Sequence, residues 1–149
     1  MNYLKILLAA IVATAVMTGF VLAAPLIGLP QTKIAVLLGA MFHGNLIAGW
    51  VMHFVIGILF VIPYALLFNK WLPVENKVAR GAIYGIVVFV FSEIIFALIN
   101  ILGYLTWDNK ESMALMIFVN ILSCLIYGMV LGAFFDRAGK DGMEKAKHQ

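Results

Sequence analysis

With 64% hydrophobic and only 11% charged residues over a length of 149, and a mean hydropathy of +1.06, the chain has too little polar surface to cover a water-soluble globule; soluble domains carry about 25% charged residues. The net charge of +3 is small and gathers at the ends of apolar runs, so it speaks for membrane orientation and against nucleic-acid binding. The single cysteine, Cys124, excludes an intrachain disulfide.

Four apolar runs, Ile6–Ala24, Leu46–Phe68, Gly81–Gly103 and Met113–Phe135, are each long enough to cross a bilayer core, which takes about 20 helical residues. The first resembles a signal peptide in outline, but its apolar stretch exceeds the about 7–15 residues of a signal core, so a retained helix is expected. After it, in "TKIAVLLGAMFHGN", Ile34, Leu37, Leu38, Met41 and Phe42 recur on one helical face. Thr32 is placed to cap this helix after Pro30. Too short to span, it is expected to lie in the outer interface or to dip in and lid the bundle. Pro63 in the second run is expected to kink it and free the Leu59 carbonyl. The tail 136–149 is polar.

The basic residues set an orientation. Lys5, Lys70, Lys77, Arg80, Arg137, Lys140, Lys145 and Lys147 fall on one side of this topology, and only Lys33 and Lys110 on the other. The positive-inside rule makes the first side cytoplasmic, with both termini there. Trp50, Tyr104 and Trp107 then belong to the outer interface and Trp71 to the inner one.

In lipid, helices associate through small residues and polar contacts. Every span carries such a stripe: Ala10, Thr14 and Thr18; Gly49, His53 and Gly57; Gly81 and Gly85, then Glu93, Ala97 and Asn100 on another face; and Asn120, Cys124, Gly128 and Gly132. The glycines read as helix-packing positions. The octamers "HFVIGILF" and "CLIYGMVL" align His53 with Cys124 and Gly57 with Gly128, which suggests a two-helix unit repeated in tandem.

At about 1.5 Å per residue, Thr18, His53 and Asn120 lie roughly 9–12 Å from the outer ends of their helices, and Glu93 roughly 15 Å. Four polar residues from four helices thus share one layer. An intramembrane carboxylate costs at least about 2.5–3.5 kcal/mol at the bilayer centre and is kept only if paired, protonated or hydrated. His53 is the expected partner of Glu93, either in a structural clasp or in a ligand or proton site. His43 and His53 are ten residues apart and off-face, which disfavours a bis-histidine haem. His43, His53 and Glu93 meet at a metal only if the outer helix folds over the bundle. No cofactor or metal is expected, and no nucleophile–base pair or phosphate loop argues for an enzyme.

"LLGAMFHGNLIAGWVMHFVIGILFVIPYALLF", residues 37–68, with its Gly49, Trp50, His53, Phe54 and Gly57 core, and "CLIYGMVLGAFF", residues 124–135, resemble a family of small bacterial four-span membrane proteins known only as a domain of unknown function. The chain departs from that pattern at Cys124, where relatives carry histidine, and at His43, where a small residue is usual. The resemblance implies fold and location, and no activity.

These readings combine into an all-α inner-membrane protein: a four-transmembrane-helix bundle over residues 1–135 with a short outer interfacial helix and a cytoplasmic tail. The first function expected is that of an accessory or assembly partner acting through packing, with the lipid bilayer and a homo-oligomer or larger membrane complex as partners and no nucleic acid. The alternatives are a small-solute or proton pathway through His53 and Glu93, and a quinone, haem or metal-binding subunit.

Overall fold

A computed structural model of the chain describes residues 3–103 and 113–135. Tyr104, Trp107, Lys110 and everything from Asp136 on, including Arg137, Lys140, Lys145, Lys147 and His148, lie outside the described residues. Every regular element among the described residues is helical: α1 (Tyr3–Ala23), α2 (Ile34–Ala40), α3 (Leu46–Pro63), α4 (Lys77–Ile101) and α5 (Met113–Phe134). A 3-10 turn, Ala24–Ile27, extends α1, and a π turn, Tyr64–Phe68, carries α3 on to Trp71. Four helices are therefore long and apolar enough to cross a membrane: α1, α3 with its extension, α4 and α5.

Two helix starts are fixed by asparagine. Asn45 Oδ1 accepts from the Ile47 and Ala48 amides at 3.0 and 3.1 Å, and Asn76 Oδ1 accepts from Val78 and Ala79 at 2.9 and 3.1 Å. Each satisfies amides that the first helical turn leaves without a carbonyl. The start of α2 differs from expectation. Lys33 holds the N-cap position with no side-chain cap bond, and the Thr32 hydroxyl is buried with no partner among the described residues instead of capping. The helix also stops at Ala40, so Met41 and Phe42 fall in the following turn and are exposed. His43 in that turn takes a left-handed φ of 53°, followed by Gly44 at 81°.

Helix α1 packs beside α3 and α5, and α4 forms its most extensive contact with α5. The α4–α5 seam is made by glycine. A Cβ at Gly85 would stand 2.5 Å from the Cys124 carbonyl oxygen, and one at Gly128 would stand 2.7 Å from the Gly85 nitrogen. Gly81 faces Gly128 and Gly132 in the same way. In the α1–α3 pair, Gly57 receives the Thr14 side chain. Shifting Thr14 and Gly57 by the repeat offset (His53 to Cys124, Gly57 to Gly128) gives Gly85 and Gly128, which also face each other. The two hairpins thus pack in the same register.

Helix α2 stands alongside the first turns of α3, antiparallel to it, with Gly49 against the Ala35 carbonyl and Gly39 against Asn45. The contact is made by its small residues, Ala35 and Gly39, because only they let two backbones approach this closely. Leu38 is buried; Ile34 and Leu37 are half-buried.

Buried aromatic rings gather at the end that carries Arg80. Tyr64, Tyr84 and Tyr127 are buried, and the rings of Tyr64 and Tyr84, Phe68 and Tyr84, and Tyr64 and Phe135 meet tilted or edge-to-face, with centroids 5.0, 4.9 and 5.6 Å apart. Arg80, fully buried, donates to the carbonyls of Val74 and Phe135 at 3.1 and 3.2 Å and so ties the loop before α4 to the end of α5.

Candidate functional site

The polar layer resolves into two networks. On the α1–α3 side, Thr18 Oγ1 lies 2.7 Å from the Thr14 carbonyl and 3.0 Å from His53 Nε2. A hydroxyl has one proton, and a carbonyl can only accept. The Thr18 proton therefore goes to Thr14, and His53 donates from Nε2 to Thr18. That fixes the tautomer: Nδ1 is the acceptor nitrogen, and it has no hydrogen-bond partner among the described residues. His53 is buried, with the Trp50 and Phe54 rings edge-on at 6.1 and 5.8 Å.

On the α4–α5 side the hub is Asn120. Its Nδ2 donates to Glu93 Oε1 at 2.6 Å and to Ser92 Oγ at 3.2 Å, and its Oδ1 accepts from Cys124 Sγ at 3.8 Å. Ser92 passes its own proton to the Phe89 carbonyl at 2.8 Å. Glu93 is half-buried and is engaged by Asn120; His53 is engaged by Thr18. The structure therefore pairs the four layer residues as Thr18 with His53 and Glu93 with Asn120. Ala97 and Asn100, further along α4, are exposed.

Between the two networks lies a chamber of about 70 Å³. Its wall includes His53 from α3, Ser92 from α4, and Asn120, Ser123 and Cys124 from α5. Ile34 and Leu38 of α2 close it at one end and Phe60 and Tyr127 at the other. A water needs roughly 10–15 Å³ of such space and two to four polar partners, so the chamber has room and partners for a few waters. An engineered cavity of about 150 Å³ is what benzene occupies; a quinone or haem ring does not fit here.

Toward the Arg80 end two tyrosine hydroxyls bond to backbone carbonyls of α3. Tyr127 donates to the Gly57 carbonyl at 2.5 Å, and Tyr84 donates to the Phe60 carbonyl. The second bond follows from Pro63. Behind it the ladder changes pitch: the Tyr64 amide bonds to Val61, and Tyr64–Phe68 forms a π turn. Pro63 has no amide proton to give the Leu59 carbonyl, and the carbonyl that takes an outside donor is that of Phe60, the next residue.

Toward the α2 end a second cavity, about 310 Å³, lies between α1, the segment 31–36 and α3. His53 and Ile34 belong to the walls of both cavities. Ser92, Ser123, Tyr84 and Tyr127 are contributors not singled out from sequence. Each tyrosine does leave a signal, since both precede a seam glycine, at 84–85 and 127–128, and a tyrosine hydroxyl within a span needs a partner.

No curated protein and no solved structure matches the chain. A family of unknown function, DUF6789, matches residues 2–145, nearly the full length, and the protein belongs to that family.

Proposed function

We propose that this membrane protein works through its chamber, taking up a proton or a small hydrogen-bonding solute from the α2 end. The observation that supports it is the position of His53. Its ring is held by Thr18 so that Nδ1 is left as an open acceptor, and it walls a water-sized space whose far side is Ser92 and Asn120, the latter bonded to Glu93. Polar groups at this depth mark pathways in membrane proteins. The tyrosine bonds at the Arg80 end make this the closed side, so passage requires Tyr84 or Tyr127 to release its carbonyl.

In the same reading the protein sits in the bacterial inner membrane with both termini cytoplasmic, as the basic residues favour. The α2 end then faces away from the cytoplasm, and the chamber is reached from outside.

A second reading, docking to a further copy or another membrane subunit, is favoured by Ala15, Gly19 and Ala23. These small residues form an exposed ridge at four-residue spacing on α1, and no side chain occupies the space before Gly19. The seam glycines of α4 and α5 are already engaged within the chain and offer no such surface.

Proton uptake into liposomes containing an internal pH dye, driven by an imposed potential, tests the first reading. Protein-dependent uptake that Glu93→Gln abolishes, with folded protein unchanged, is the expected result. Equal uptake by empty liposomes, or by wild type and variant alike, overturns the proton form; the same comparison with small polar solutes overturns the solute form.

A further inference from the structure

The larger cavity contains a combination that the chamber does not use. Lys33 and Thr32 stand at its wall beside Trp50, and its remaining surface is largely aliphatic, including Leu22, Val36 and Leu46. Those three, on α1, α2 and the start of α3, are each about half exposed, at 52, 51 and 53%, at the outer surface of the bundle. No carboxylate lines the cavity, and Lys33 forms no ion pair among the described residues. The Thr32 hydroxyl is shielded from solvent and has no hydrogen-bond partner among the described residues, an arrangement that is costly unless something else supplies an acceptor.

The geometry points to a site for one anionic phospholipid, with its phosphate on Lys33 and Thr32 and its acyl chain along Leu22, Val36 and Leu46. Three features select this occupant. The cation and the hydroxyl donor are adjacent and unanswered, so the head must be an acceptor and carry negative charge. The aliphatic wall is continuous with the lipid-facing surface, so the rest of the ligand is apolar and arrives from within the membrane. Trp50 places the site at the level where head groups lie. A soluble anion would satisfy Lys33 but leave the aliphatic wall unexplained. This site shares His53 and Ile34 with the chamber, but it does not rest on the proton or solute reading, because lipid binding needs neither Glu93 nor water in the chamber.

Native mass spectrometry of the purified full-length protein, exchanged into equal phosphatidylglycerol and phosphatidylcholine of matched chains, tests it. One phosphatidylglycerol should be retained per chain, with at least tenfold less in Lys33→Gln, near wild-type retention in Lys33→Arg, and no change in Lys70→Gln at the opposite end. If Lys33→Gln does not fold, Thr32→Val decides in its place, with a severalfold loss expected. Equal retention of the two lipids, retention unchanged in Lys33→Gln or in Thr32→Val, or displacement of the lipid by millimolar inorganic phosphate would overturn the proposal; the last result would assign the site to a soluble anion.

Discussion

Thr18 on α1 and His53 on α3 share one hydrogen bond, Oγ1 to Nε2 at 3.0 Å, and because the Thr18 proton is already given to Thr14, the bond dictates which nitrogen of the imidazole is protonated. Thr18→Val removes the acceptor and leaves the ring free to change tautomer. Interhelical polar contacts in membranes are worth about 0.6 kcal/mol on average and at most about 1.7, so the loss of stability should lie in that range. Unfolding in mixed micelles measures it, and the histidine 15N spectrum should lose its single tautomer.

Glu93→Gln preserves the oxygen that Asn120 donates to, whereas Glu93→Leu leaves an amide proton of the buried Asn120 without its acceptor. The expected outcome is a folded Gln variant within about 0.5 kcal/mol of wild type, and a Leu variant that loses up to about 1.7 kcal/mol. Thermal or steric-trap unfolding separates the two.

The glycine seam makes a sharper demand. Gly85→Ala and Gly128→Ala each drive a methyl group into opposing backbone, so α4 and α5 must move apart, at a cost of about 1–3 kcal/mol each. The double variant should cost less than the sum, since one separation relieves both clashes. Gly19→Ala, with nothing within 4 Å of the new methyl, serves as the silent control for folding within the monomer.

The four long apolar helices are legible in the sequence because they depend only on run length and composition. The partners within the layer are not. Depth gives the level of Glu93 but not the direction in which it points. That direction follows from the α4–α5 seam, where Gly85 against Cys124 and Leu125 sets the rotation that brings Glu93 to Asn120. The face of α2 misleads for a related reason: its large residues mark an apolar side, yet the backbone contact with α3 is made by Ala35 and Gly39. Thr32 has the right chemistry for a cap, but the chain enters α2 one residue later, at Lys33.

The proposed tyrosine seal can be loosened without disturbing packing. Tyr127→Phe and Tyr84→Phe each delete one hydroxyl bonded to an α3 carbonyl. Stability should fall by about 0.6 kcal/mol, at most about 1.7, for each. Proton or solute leak in liposomes should rise, most in the double variant; a leak that stays at the wild-type level would place the barrier elsewhere.

The central claim is that His53 presents an open Nδ1 to a hydrated chamber. Water-edited solid-state NMR of the 15N-histidine-labelled protein in lipid tests it most directly, with His43→Gln and His148→Gln introduced so that one ring remains. The account predicts the ring proton on Nε2, an unprotonated Nδ1, and magnetisation arriving at that ring from water. A proton on Nδ1, or a ring that receives nothing from water while loop residues do, would contradict it.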